Sequence, residues 1–542
     1  MIPIEEKTDD PVINISLDTL KKNKQMLSFF NTKKSAEACA ERIYSSIDKK
    51  EETPELEELA RKIEKVLSAP TKQCKRLAKV VRRGIAFHHS GLHSEQRALV
   101  EDNFRAGKIK VICSTTTLGA GLDLPAFRVV IKDLKRFSGG WGMSNIPVLE
   151  YEQMAGRAGR PSYDNEGQAI CIATSVEEQE EIWEQYINGE PEDILSKLAV
   201  EPVMRTYVLS LIATEYAKSL ISLNEFMEKT FYAHQYKDIS KLKSLITSIV
   251  KQLEEWEFIK VEGEMTENNS FSSAKSLTKM FSKKDSKDKE VLLSATKLGQ
   301  RIAELYLDPE TAHYLLECMK RGASKQTAIT PFALLQMICW TLELRPLLTT
   351  RKKDIEMVDE KLVLEEDNLM CEIPDSYSDE FDDFTNSIKT AIVLEKWIDE
   401  TSEEILLEEL NITPGELNSK LERSNWLLYS SYELSKIQGF RNVGKEVLKL
   451  KERLANGVKE ELLPLIRLKG IGRVRARKLF SNRIRDIGDI KKVDVSILGA
   501  IIGDKLALDV KKQVGQDLSE AHIKVRPNKR KGQISLNDYG EE

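Results

Sequence analysis

The chain has 542 residues, of which 41% are hydrophobic, and a formal net charge of −5. At roughly 100–200 residues per domain, that length holds about three to five domains. No apolar run reaches the roughly 18 residues that span a bilayer, the start Met1-Ile2-Pro3-Ile4-Glu5-Glu6 lacks a signal-peptide pattern, and the seven cysteines show neither CxxC nor zinc spacing. These features argue against membrane, disulfide-framework and zinc-finger classes, and a reduced intracellular protein is expected.

Residues 24–180 alternate β-rich runs with helical patterns. The runs are Met26 to Phe30, Val111 to Cys113, Val129 to Ile131 and Ala169 to Ile172. This alternation predicts a parallel sheet flanked by helices. From about residue 192 the pattern turns helical. An amphipathic helix over 242–253 is followed by a predicted strand at Phe258 to Val261 and its partner at Val291 to Thr296. The Ser/Lys/Asn/Glu-rich stretch 263–290 between them reads as a mobile insertion. Further helices run to about 455. The charge is unevenly distributed: residues 354–410 hold 3 basic and 20 acidic side chains, whereas residues 441–535 hold 24 basic and 11 acidic. The basic block is a candidate phosphate-binding surface, although a solvated helical face has the same composition. The fold class expected is multidomain, α/β followed by mainly α.

Several motifs carry chemistry. In Gln153-Met154-Ala155-Gly156-Arg157-Ala158-Gly159-Arg160, two arginines sit three apart among small residues. On a helix, Arg157 and Arg160 would share one face and present their guanidinium forks to a transferring phosphoryl group. Upstream, Ser114 to Pro125 follows a strand. Its hydroxyls and glycine amides can meet a nucleic-acid phosphate, and Asp123 can accept from a ribose hydroxyl. Arg136-Phe137-Ser138-Gly139-Gly140-Trp141-Gly142-Met143-Ser144 reads as a turn carrying stackable aromatics. Lys420, Arg423 and Trp426 recur at steps of three. That arrangement suits base stacking beside cations, but the period equally allows Trp426 to be core. Leu465 to Leu479 has a helix-hairpin-helix pattern, in which Gly470 and Gly472 admit a phosphate close to backbone amides while Arg473, Arg475, Arg477 and Lys478 add charge. His88, His89 and His93 lack a cysteine or a close carboxylate pair, so no metal site is expected.

In their order, His88-His89-Ser90-Gly91-Leu92, Thr115 to Pro125 and Gln153 to Arg160 resemble motifs IVa, V and VI of superfamily 2 helicases, and Met26 to Ser35 resembles motif IV. More narrowly, the chain resembles the archaeal Ski2-like DNA repair helicases known as Hjm, relatives of the helicase part of DNA polymerase theta. The resemblance implies that Arg157 and Arg160 reach ATP bound on a first RecA-like domain, with Gln153, Gly121 and Asp123 near the nucleotide. It implies that His88, His89, Ser90, Thr115 and Thr116 contact the DNA backbone. A hairpin bearing Phe137 and Trp141 would part the duplex, and a ratchet helix would stack Trp426 on a base. Where the family has an arginine two turns before that tryptophan, this chain has Ser419, with Lys420 adjacent.

The implied organisation is a second RecA-like motor domain at 1–190, a winged helix at 191–305, a helical ratchet domain at 306–455, a helix-hairpin-helix-like DNA-binding domain at 456–525 and a flexible tail at 526–542. No G-x-x-x-x-G-K-[ST] occurs in the sequence. ATP and Mg²⁺ are therefore expected to bind mainly on a first domain that this chain lacks. The expected activity is 3′→5′ translocation on single-stranded DNA with unwinding of forked duplexes in repair, by a monomer in the archaeal cytoplasm, associated with the nucleoid. An RNA helicase and a non-catalytic DNA-binding module remain alternatives. In the tail, Gln533, Leu536 and Tyr539 have the spacing of a sliding-clamp peptide, although an ordinary polar tail has similar composition.

Overall fold

The computed structural model describes residues 4–47, 52–67, 69–119, 124–137, 143–159, 166–198, 200–262, 291–325 and 328–516. The insertion 263–290 and the clamp-like tail lie outside these residues, as do Gly121, Asp123, Trp141 and Arg160 and the side chain of Phe137.

The first 200 residues build the expected α/β layer. Five parallel strands, β1 (Met26–Phe30), β2 (Ile85–His88), β3 (Val111–Thr115), β4 (Arg128–Ile131) and β7 (Gln168–Cys171), lie in the order β2-β3-β1-β4-β7. Met26 pairs with Val111 on one side and with Arg128 on the other. The strands β1, β2 and β4 are buried at every residue. That is why they read as continuous apolar runs rather than alternating ones: a parallel sheet is covered on both faces. The covering helices start at side-chain caps. Asp10, Thr32, Thr53 and Thr71 each accept a backbone N–H of the first turn. Their apolar faces meet the sheet in a core that includes Phe29, Phe30, Phe87 and Phe104. Arg128, fully buried, is neutralised by Asp18 at 2.5 Å and donates to Thr19 and Gln168.

The predicted turn after β4 is an antiparallel pair, β5 (Lys135–Phe137) with β6 (Met143–Asn145). Beyond it, the helix Ile239–Glu255 leads into β8 (Ile259–Glu262), which pairs antiparallel with β9 (Leu292–Ala295), followed by the helix Lys297–Glu304. The predicted strand partners are thus found. The helices Pro309–Ser324, Pro331–Cys339, Glu380–Ile398 and the 25-residue Pro414–Gln438 add further buried apolar residues, among them Leu315, Phe332, Phe384 and Leu427.

The contacts divide the chain into two compact units. One comprises residues 1–393 and 402–447, the other 394–401 and 448–542. In the second, the short helices Leu463–Ile466, Arg473–Ser481, Ile487–Lys492, Val495–Ile502 and Asp504–Gln513 enclose a small core of Leu462, Leu465, Leu479, Leu498 and Val510. Among the described residues no helix is long and apolar enough to cross a membrane.

Candidate functional site

In a parallel sheet the loops that follow the strands collect at the carboxyl edge, where ligands bind in open α/β folds. Here those loops begin at Asn31 after β1, His89 after β2, Thr116 after β3 and Lys132 after β4. Four stretches far apart in sequence are therefore brought to one edge by strand order alone. Asn31 is anchored there by its backbone N–H, which donates to Asp133 at 3.1 Å.

After β3 the chain makes a 3-10 turn at Thr116–Leu118 and reaches Gly119. The Arg157 guanidinium donates to the Gly119 carbonyl through Nη2 at 2.7 Å and Nε at 3.2 Å. A Cβ at Gly119 would lie 2.9 Å from Met154 Cγ, so glycine leaves room for Met154 to pack there. The helix Val148–Ala155 carries exposed Gln153 and ends before Arg157. Arg157 is not on that helix, and Arg160 lies outside the described residues. Arg157 lies in the turn beyond Gly156, and Ala158 then bridges to Ala126. At Gly159 the backbone turns left-handed with φ +92°, which ends any helical continuation.

The β2 loop differs from expectation. His88 and His89 are buried at 2% and 0% exposure. His88 Nε2 meets Glu101 at 2.8 Å, and burial pushes its imidazole below the usual range. His89 Nδ1 accepts from the Gly91 N–H, which leaves Nε2 to donate to Glu37 at 3.1 Å. Burial pushes the Glu37 carboxyl up, but His89, Gln73 and the Arg76 charge outweigh it and hold it below the usual carboxylate range. Both rings therefore brace the loop from inside, and Ser90 alone of the three is exposed.

The same loop supports the helix Pro414–Gln438. Gly415 N–H donates to the Gly91 carbonyl at 3.0 Å. A Cβ at Gly415 would lie 2.2 Å from the Ser90 carbonyl oxygen, and Lys33 pairs with Glu416 at 2.6 Å. Farther along, Lys420 points inward. Its ammonium donates to the Leu344 carbonyl at 2.6 Å and to that of Pro346, and burial lowers its pKa to about 8. Arg423 donates to the carbonyls of Glu343 and Arg345. Trp426 is half-buried, and its indole N–H donates to the Leu305 carbonyl at 3.1 Å.

In the second unit, Gly470 has φ +85° and Gly472 precedes the helix Arg473–Ser481, with open space where a Cβ would stand. Arg473 packs over the Trp397 ring at 4.8 Å and donates to the carbonyls of Glu400 and Thr401. Arg477 is clamped by Glu400 and Glu461. Arg475 is exposed and donates to the Gly470 carbonyl, and Arg467, Lys469, Lys478, Arg483 and Arg485 are exposed nearby.

A family model for the helicase conserved C-terminal domain matches residues 10–162, one for a helix-turn-helix domain matches 170–260, and one for archaeal helicase domain 4 matches 332–457. The ATP-dependent DNA helicase Hel308 of Methanocella arvoryzae is 39% identical over 512 residues, which is 94% of this chain and 65% of the relative. That of Pyrococcus horikoshii is 36% identical over 523 residues, 95% of this chain and 67% of the relative. The chain belongs to the Hel308 helicase family. It spans about two-thirds of the length of these relatives.

Thr115 and Thr116 are half-buried at the carboxyl edge of the sheet. The rings of His88 and His89 and the ammonium of Lys420, expected to contact DNA, are buried and hydrogen-bonded inside the protein. Arg473 and Arg477 are committed mainly to protein acceptors, leaving Arg475 as the exposed arginine of that trio. Sequence reasoning did not single out Glu37 or Gly415. No local pattern marks Glu37, whose partner lies 52 residues away. Gly415 follows Pro414 at a helix start, where a glycine is unremarkable by itself.

Proposed function

We propose that the chain supplies the second motor domain, a winged helix, a ratchet domain and a DNA-binding helical domain of an ATP-dependent 3′→5′ DNA helicase that opens forked duplexes. The observation that carries this reading is the meeting of Arg157 with Gly119, which joins the motif VI and motif V segments at one place. Identity to Hel308 helicases over nearly the whole chain supports it. ATP and Mg²⁺ would be held mainly by a P-loop motor domain, with Gln153, Arg157 and Arg160 reaching the nucleotide across the cleft. Gly121 and Asp123 would lie beside it. Ser90, Thr115 and Thr116 would take the DNA backbone, Phe137 and Trp141 would stand at the duplex junction, and Gly470, Gly472 and Arg475 would bind phosphates. The site would be cytoplasmic, and the protein would act as a monomer. Gln533, Leu536 and Tyr539 would be a secondary tether to a sliding clamp.

The chain by itself is expected to bind single-stranded and forked DNA without hydrolysing ATP. If it makes six or more phosphate contacts, its affinity falls by about 10³-fold or more between 50 and 200 mM salt. Fluorescence anisotropy with DNA and RNA forks of one sequence measures both points. Affinity indifferent to salt sinks the phosphate-contact model, and a preference for the RNA fork redirects the substrate class.

Trp426→Ala is expected to weaken single-strand binding by roughly 1–3 kcal/mol, the usual worth of one stacked base, while duplex binding holds. The same variant removes the bond to the Leu305 carbonyl, so its thermal transition is measured without DNA. A lost cooperative transition would mean that Trp426 acts in the core and not on DNA.

A further inference from the structure

The short helix that leads into Arg157 is tied to the base of the β5–β6 hairpin by a segment outside every helicase motif. After the helix Val176–Ile182 the backbone widens into a π-helical turn, Trp183–Ile187. Such turns are rare and often accompany functional positions. This one brings Tyr186 inside, at 3% exposure. Its hydroxyl donates to the Ile146 carbonyl at 2.9 Å and lies 3.3 Å from the Leu134 carbonyl. Leu134 and Ile146 are the residues just outside the hairpin strands, and the Ile146 N–H closes the hairpin on Leu134 at 2.9 Å. Burial pushes the Tyr186 hydroxyl up to about 12, so it remains a donor. The ring packs 5.3 Å from that of Tyr151, on the Val148–Ala155 helix.

A second tie follows three residues past a forced turn. A Cβ at Gly189 would lie 1.9 Å from the Gln185 carbonyl oxygen, so only glycine passes there. Beyond it, Glu192 accepts the N–H groups of Val148 at 2.7 Å and Leu149 at 3.1 Å. Pro147 offers that helix no side-chain cap, and the two bonds hold the Glu192 carboxyl below the usual range. Arg136 on β5 pairs with Glu150 on the same helix at 2.6 Å. At its far end the helix packs Met154 on Gly119, where Arg157 is also held.

We propose that Tyr186 and Glu192 are positioning residues that bind the hairpin and the Val148–Ala155 helix into one rigid piece, so that movement of Arg157 is passed to the hairpin base. The proposal rests on the reading that Arg157 engages nucleotide and that the hairpin parts the duplex. Tyr186→Phe keeps the ring on Tyr151 and removes only the donor, and Glu192→Ala removes only the cap. In the whole helicase, both are expected to leave DNA-stimulated ATP hydrolysis within about two-fold. Base pairs opened per ATP should fall at least about five-fold, the lower end of usual inter-site coupling. In this chain alone, Tyr186→Phe is expected to speed hydrogen exchange at the Ile146 amide by about five-fold, as loss of one net hydrogen bond implies. Unchanged opening per ATP overturns the proposal. So does an equal fall in hydrolysis and opening with a lowered melting temperature, which would be a purely structural effect. A variant lacking residues 137–143 tells the two failures apart: if it still unwinds, the hairpin reading falls and takes this proposal with it. If it does not unwind while Tyr186→Phe does, this proposal alone falls.

Discussion

Arg160→Ala, in a helicase reassembled from this chain and a P-loop motor domain, is expected to lower DNA-stimulated ATP hydrolysis by about 10³–10⁵, the range measured when an arginine finger is lost. Charge spreads over the transferring phosphoryl group in the transition state, and a fixed guanidinium fork answers it at little reorganisation cost. Arg157→Ala should also cost activity, for a further reason. In this structure Nε and Nη2 of its guanidinium hold the Gly119 carbonyl, so its loss also releases the motif V segment, while Nη1 is the donor left to meet a phosphate oxygen. Arg157→Lys retains the charge but not the two-pronged contact, and should recover only a small part of the loss. Single-turnover hydrolysis at saturating ATP and DNA is the measurement. A rate within ten-fold of the parent for both alanine variants, against the about 10³ expected, would remove these arginines from the chemistry.

What the sequence disclosed follows from how local each determinant is. Strands β1, β3 and β4 were legible because covered parallel strands are continuous apolar runs, as in Met26 to Phe30; β7, a partly exposed edge strand, was legible from the apolar composition of Ala169 to Ile172. β2 escaped because it ends in His88, a polar residue whose buried ring is met by Glu101 on a later helix. The hairpin after β4 and the ribbon β8–β9 were legible from flanking turn and strand composition. The helix expected to carry Arg157 stops at Ala155, and the left-handed turn at Gly159 is a backbone feature that side-chain spacing does not report. Lys420 was misplaced by arithmetic: three residues advance about 300° on a helix, so two such steps leave it about 120° around from Trp426. It faces the carbonyls of Leu344 and Pro346 instead. The basic block at 441–535 announced a charged surface, but Arg473 and Arg477 find their acceptors more than 70 residues upstream, at Glu400. Composition registers the charge and not its partner.

The other large effect concerns Arg205, on the helix Glu201–Ala213. Its side chain is 1% exposed and makes two bonds of 2.9 Å to Asp308, itself 7% exposed, with Glu310 at 2.7 Å and Glu201 at 3.3 Å on the rim. Arg205→Met keeps the stem and deletes the fork. Asp308 is then a buried carboxylate without its cation, and breaking a buried pair from one side costs about 3–5 kcal/mol. The consequence extends beyond the pair. The Asp308 N–H donates to Glu343 at 3.1 Å, Thr311 donates to the same carboxylate at 2.7 Å, and the Glu343 carbonyl accepts from Arg423. Asp308 thus lies three residues from Leu305, whose carbonyl accepts from Trp426, and two bonds from the helix that carries Trp426. Loss of Arg205 should loosen the carbonyl row that fixes Lys420 and Arg423 as well as lower stability. Urea unfolding of this chain measures the first effect, and hydrogen exchange across 343–346 the second. Asp308→Leu added to Arg205→Met removes the stranded charge, and the double variant should recover part of the loss, because a buried pair replaced whole costs far less than one halved. An Arg205→Met variant within about 0.5 kcal/mol of the parent, the range of an ordinary surface change, would show that water reaches Asp308 and that the pair carries little.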